Sequence, residues 1–142
     1  MQVRDLMSTD VVTVPVGATL ADAVRRLLEE GVGSVVVVDG EGDPVGIVTE
    51  SDALGLALET DDPLSSLSVE AVGHRPVVTT TPSTAVSTVA RTMADEGVKK
   101  VPVIDGIDLV GMVTLSDVVW HLTELRSELS NAASLRAEWD PT

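Results

Sequence analysis

The sequence predicts an α/β (α+β) chain built from two copies of one β-α-β-β-α unit, and three observations lead there. First, GIVTESD at Gly46–Asp52 returns as GMVTLSD at Gly111–Asp117, 65 residues further on. Second, VVTVPVGATLADAV (Val11–Val24) aligns with VVTTTPSTAVSTVA (Val77–Ala90) at a spacing of 66, and that spacing continues through Gly31 and Gly97 to SVVVVDG and KVPVIDG. The single residue lost between the two spacings falls at the loop EGDP, where a change of length is tolerated best. Third, the apolar 44% is dominated by valine, which favours strands, while Ala, Leu and Glu runs favour helices.

Each unit reads in the same order. A short stretch with threonine, VVTV or VVTT, enters a turn. A helix follows: LADAVRRLLEEG carries Leu20, Val24, Leu27 and Leu28 at helical spacing, and Gly31 is its predicted C-cap, as Gly97 is for AVSTVARTMADEG. Then come a strand (SVVVVD or KVPVID), a turn, a second strand (PVGIVT or LVGMVT) and a helix beginning at SD. The unbroken valines of SVVVVD predict a strand buried on both faces. The polar, turn-prone DDPLSSLS separates the units, which gives a first repeat at 1–60, a linker at 61–68 and a second repeat at 69–142. The last helix is longer than its counterpart. Its stripe of Val118, Val119, Leu122, Leu125 and Leu129 suits either core packing or a dimer seam. A unit of about 60 residues is marginal alone, so two units packed sheet to sheet explain the duplication before any function is invoked.

Composition narrows the function classes. The formal charge is −14, from 23 acidic and 9 basic residues, and Lys99 and Lys100 are the only lysines. Such a field opposes nucleic acids and anionic membranes. A dispersed acidic surface poor in lysine is similar to that of proteins from salt-accumulating organisms; an acidic protein of a GC-rich genome has the same look. No cysteine is present, which excludes disulfides, thiolate catalysis and Cys-held metals. MQVRDLMSTD does not read as a signal peptide and SVVVVD is too short to cross a bilayer, so a cytoplasmic protein is expected.

The repeated phrase supports two readings. Thr49-x-x-Asp52 and Thr114-x-x-Asp117 fit a capping box at a helix start. The same geometry turns backbone N–H groups toward an anion, places a threonine hydroxyl near a phosphate or sugar oxygen, and offers an aspartate to a ribose diol. Both roles can share one motif.

Taken whole, the ordered elements VVTV, TL, SVVVVDG, PVGIVT and TxSD, with counterparts in the same order in the second copy, resemble the CBS domain, the regulatory module named after cystathionine β-synthase. The resemblance covers Val3 to about Ala57 and Val69 to about Leu122. It implies a tandem pair with pseudo-twofold symmetry, two clefts that hold adenosyl compounds (AMP, ADP or ATP; S-adenosylmethionine or NAD in some members), and a homodimeric disc. It implies ribose-binding roles for Asp52 and Asp117 and neighbouring roles for Thr49 and Thr114. Val11, Val12, Val77 and Val78 match positions that line adenine. Lys99 and Lys100 match positions that hold phosphate, where the first repeat has Gly33 and Ser34, so unequal clefts are expected. Arg75 is a further candidate for phosphate, and Mg²⁺ is expected only as a companion of a nucleotide. No intrinsic cofactor is implied.

No catalytic constellation is visible: no P-loop, no GxGxxG, no paired histidines, and no histidine placed to serve Ser51 or Ser116. A regulatory module that signals to another protein is the expectation. A scaffold that binds no nucleotide and serves dimerisation is the alternative.

Overall fold

The computed structural model describes residues 1–73 and 77–123. His74, Arg75, Leu125 and Leu129 lie outside them. The first repeat contains strand β1 (Thr13–Pro15), helix α1 (Leu20–Glu30), strands β2 (Ser34–Val38) and β3 (Pro44–Thr49), and helix α2 (Glu50–Glu59). A short helix α3 (Glu70–Gly73) opens the second, which continues with α4 (Val86–Glu96), β4 (Lys100–Asp105), β5 (Asp108–Thr114) and a helix α5 described over 115–123.

Local chemistry accounts for the boundaries. Thr19 caps α1 reciprocally with Asp22, and Gly31 and Gly97 close α1 and α4 at φ 63° and 66°, the left-handed turn a glycine adopts without penalty. Both hairpins carry a bulge at equivalent places, between Val37 and Val38 and between Val103 and Ile104. The linker is less plain than its composition predicts. It holds a 3-10 turn at Leu64–Ser66, and Leu64 and Leu67 pack on the first core.

The first repeat forms a sheet of order β1-β2-β3, with β1 parallel to β2 and β3 antiparallel. The second departs from it. β4 and β5 pair alone, and the expected first strand VVTT is reduced to one parallel bridge, Thr80 with Val103. Proline explains the loss. In the first repeat the Val36 N–H donates to the Val12 carbonyl oxygen at 2.9 Å. Pro102 stands at the position of Val36 and has no N–H to give Val78.

Two valine-rich cores form, and they trade their opening segments. Val3 is buried with Val89, Val101, Val103 and Val113 of the second repeat, whereas Val69 is buried with Leu20, Val35 and Val48 of the first. Each fully buried valine is worth about 1.5–3 kcal/mol relative to exposure, so the exchange ties the repeats together. Val36 and Pro102 are also fully buried, on the strand faces opposite those two cores. Val11–Val12 and Val77–Val78 are the crossing points of the exchange. Val77 and Val78 lie beside the first of the repeated phrases.

Candidate functional site

The site grows from the start of α2. The Thr49 N–H donates to Asp52 Oδ2 at 3.0 Å, and the Asp52 N–H donates to Thr49 Oγ1 at 3.1 Å. The same reciprocal pair joins Thr114 and Asp117, at 2.9 and 3.1 Å. The capping reading of the phrase therefore describes the structure at both places. It also limits the anion reading. The Glu50 N–H is spent on the Gly33 carbonyl oxygen at 3.2 Å and the Asp52 N–H on the Thr49 hydroxyl, so the first turn has little amide left for a phosphate. Negative charge on a ligand must then be met by side chains.

Those side chains are present. A cleft of about 590 Å³ opens between the repeats, a size that suits a small-molecule ligand. The first repeat contributes Gly33, Gly46, Ile47, Thr49, Glu50, Ser51 and Asp52; the second contributes Val77, Val78, Gly97, Val98, Lys99 and Lys100. Six of the residues expected from the sequence thus share one wall-to-wall space. Capping and lining coexist in Asp52, whose Oδ2 holds the Thr49 amide while the residue lines the cleft. Ile47, Val77, Val78 and Val98 supply its apolar part, and none of the lining residues is aromatic. Two cations and two carboxylates balance within it, in a chain of net −14.

Val11, Val12, Ser34, Thr114 and Asp117 do not line this cleft. By the repeat spacing they are the counterparts of Val77, Val78, Lys100, Thr49 and Asp52. That side differs in three ways. Ser34 replaces Lys100, and Leu115 replaces Glu50. Val12 has its carbonyl oxygen bound by Val36, while Pro102 relieves Val78 of that partner. Finally, Met7 Sδ lies 2.7 Å, and the Ser8 carbonyl oxygen 3.0 Å, from where a Cβ on Gly111 would be, so the chain's own opening segment covers the counterpart of cleft-lining Gly46. Arg75 lies outside the described residues.

Sequence reasoning missed Glu50 and Ser51 as lining residues although both lie inside the repeated phrase. Glu50 is the position at which the two copies differ most in polarity, and that difference was the available clue. A further cavity of about 480 Å³ beside β1 and α1 contains Arg25 and Arg26, each already held by a carboxylate, Asp22 at 3.2 Å and Glu30 at 3.1 Å. Among the described residues no group of three His, Asp or Glu is placed to hold a metal ion, and no helix is long and apolar enough to cross a membrane.

The CBS domain family matches residues 3–59 and again 69–124. This chain belongs to the CBS domain family. It is a tandem pair, as the repeat and the resemblance led one to expect. An uncharacterised protein of Methanopyrus kandleri is 27% identical over 120 residues, which cover 84% of this chain and 61% of that protein, so the chain spans less than two thirds of this relative's length. Among solved structures, the CBS domain pair of protein MJ0100, in complex with 5'-methylthioadenosine and S-adenosyl-L-methionine, is 27% identical with a TM-score of 0.74, covering 86% of this chain and 99% of that one. A hexameric CBS-CP12 protein from bloom-forming cyanobacteria is 28% identical with a TM-score of 0.76, covering 100% of this chain and 90% of its own.

Proposed function

We propose that this CBS pair is a regulatory, non-enzymatic module that binds an adenosyl ligand, an adenine nucleotide such as AMP, ADP or ATP in the first place, in the cleft between Asp52 and Lys100, and passes its occupancy to a partner protein. One observation carries the reading. Thr49, Asp52, Val77, Val78, Lys99 and Lys100, drawn from both repeats, meet in one cleft of about 590 Å³. The adenosyl complex of the MJ0100 pair supports the ligand class.

The roles divide by chemistry. Asp52 keeps one carboxylate oxygen for a ribose diol while the other holds its helix cap. The aliphatic residues hold the base, and the Val78 carbonyl oxygen, without a ladder partner, accepts from its amino group. Lys99 and Lys100 meet phosphate. A ligand that spans both repeats stabilises one relative arrangement of them, and it regulates to the extent that two arrangements bind it unequally. The module acts as a cytoplasmic homodimer. Exposed Leu54 and Leu58 on α2, with Val119, Trp120 and Leu122 on α5, supply the apolar surface.

Thermal unfolding in concentrated KCl with AMP, ADP, ATP, S-adenosylmethionine and NAD tests the reading. A ligand at about 100 times its Kd adds roughly 2.7 kcal/mol, a rise of several degrees. A rise that disappears in Asp52→Ala supports the cleft. No rise with any of the five, from a protein that remains dimeric, leaves a scaffold.

A further inference from the structure

Glu50 and Lys100 come from different repeats and converge on one bare glycine. A Cβ on Gly33 would lie 3.2 Å from Lys100 Nζ and 3.4 Å from Glu50 Oε1, so the missing side chain is what leaves room for the two charges to face each other at the cleft wall. They are not locked together. Among the described residues the ion pairs within 4.0 Å are Arg25–Asp22 and Arg26–Glu30, both within α1. The internal repeat supplies a second, independent observation: where the pseudo-equivalent position has Ser34 for Lys100, it also has Leu115 for Glu50. Both charges are present on one side and both are absent on the other. A cation needed only for solubility would not have its carboxylate replaced with it.

Building on the proposed cleft, we infer that Glu50 is a specificity-determining residue that competes with the ligand for Lys100 and so sets how much negative charge the cleft accepts. Asp52 is committed to its cap and the ribose side, and the first-turn amides of α2 are largely spent on Gly33 and Thr49. With Glu50 opposing Lys100 and Asp52 on the ribose side, Lys99 is the cation left to face phosphate, which suits one phosphate group. The assigned ligand class is therefore a nucleoside monophosphate rather than a nucleoside triphosphate. Polyphosphate binding requires Lys100 to turn from Glu50 while the carboxylate still faces the added charge.

The test is titration calorimetry of adenosine, AMP and ATP against the full chain and Glu50→Gln, with thermal shift by inorganic tripolyphosphate on the same proteins and on Glu50→Gln/Lys100→Met, all at one KCl concentration. Loss of a partly exposed competing charge of this kind corresponds to roughly a fivefold change. Glu50→Gln is expected to tighten ATP by about that factor, to tighten AMP less and to leave adenosine unchanged. It is also expected to enlarge the tripolyphosphate shift, with the gain gone in the double variant. An ATP-to-adenosine ratio that is unchanged or lowered by Glu50→Gln overturns the inference. Should the chain bind no adenosyl compound, the functional reading fails on that result, and the tripolyphosphate arm still decides this one: an equal or smaller shift in Glu50→Gln overturns it.

Discussion

Asp52 both caps α2 through Thr49 and lines the cleft, with 3.0 Å from the Thr49 nitrogen to Asp52 Oδ2. Substitutions here should separate the two roles. Thr49→Ala removes the hydroxyl that accepts from the Asp52 amide and should cost about 1 kcal/mol, a fall in Tm of roughly 3 °C without ligand. Asp52→Asn keeps an oxygen able to accept from Thr49 but turns an NH2 donor toward a ribose diol in place of a carboxylate oxygen. Its Tm should stay closer to wild type than that of Thr49→Ala while the ligand-induced rise is lost. Equal ligand-induced rises in wild type and Asp52→Asn would remove Asp52 from the site.

Pro102 should be replaceable at a gain in stability and a loss in binding. Pro102→Val returns the N–H that Val36 uses in the first repeat, and it should extend VVTT into a true third strand beside β4. One added backbone hydrogen bond is worth about 1 kcal/mol. Engaging the Val78 carbonyl oxygen should weaken an adenosyl ligand, and an amide exchange experiment should show new protection at residue 102. A stabilised variant with undiminished ligand affinity would mean that the Val78 carbonyl plays no part in binding.

Much of this architecture is legible in the residues because two periodicities coincide. The duplication spacing pairs Gly31 with Gly97 and Thr49 with Thr114, while the local patterns mark α1, β2 and their counterparts. Six cleft residues could be named because the repeated pattern resembles the CBS domain. What stayed hidden is non-local. Nothing near Val3 or Val69 says that each is buried in the other repeat's core, because a short apolar segment fits either. The loss of the second repeat's first strand was present in KVPVID against SVVVVD, yet the proline there acts on a partner more than 20 residues earlier. Glu50 is a charged residue at a helix start, which composition alone assigns to the surface; only the folded chain brings it with Lys100 to Gly33 in the cleft wall.

Gly111 should tolerate no side chain. A Cβ there would meet Met7 Sδ at 2.7 Å and the Ser8 carbonyl oxygen at 3.0 Å, and the latter is fixed by the paired Ser8–Met112 backbone bonds of 2.8 and 2.9 Å. Overpacking of this kind costs about 1–3 kcal/mol. Met7 can yield and the backbone cannot, so Met7→Ala should restore only part of the Tm lost in Gly111→Ala. Full recovery in the double variant would place the whole strain on the methionine.

Asp22 predicts an acid-side effect. Its carboxyl lies below the ordinary value of 3.8, chiefly because it accepts from the Thr19 amide, with the Thr19 hydroxyl and Arg25 assisting against partial desolvation. A carboxylate whose pKa falls on folding contributes stability that is complete above 3.8 and is lost as pH falls through the lowered folded value. Asp22→Asn should therefore lower Tm near neutral pH and converge on wild type in strong acid. Parallel Tm–pH curves across that range would show that the pair at Thr19 is not coupled to folding.

The proposed dimer makes the last prediction. Val118 is buried in the second core, whereas its neighbours Val119 and Trp120 are 52% and 68% exposed, and Leu58 on α2 is 90% exposed. One turn of α5 therefore serves the core with one face and leaves another apolar face to water, and α2 does the same. Large apolar side chains on two helices are costly to leave wet, and buried tryptophan anchors commonly dominate an interface. Trp120→Glu with Leu58→Glu should raise the dimer dissociation constant by about 30-fold or more, with little change in the chain's own unfolding at low concentration. Sedimentation equilibrium reads the outcome directly. A variant that remains as dimeric as wild type would exclude this face as the seam.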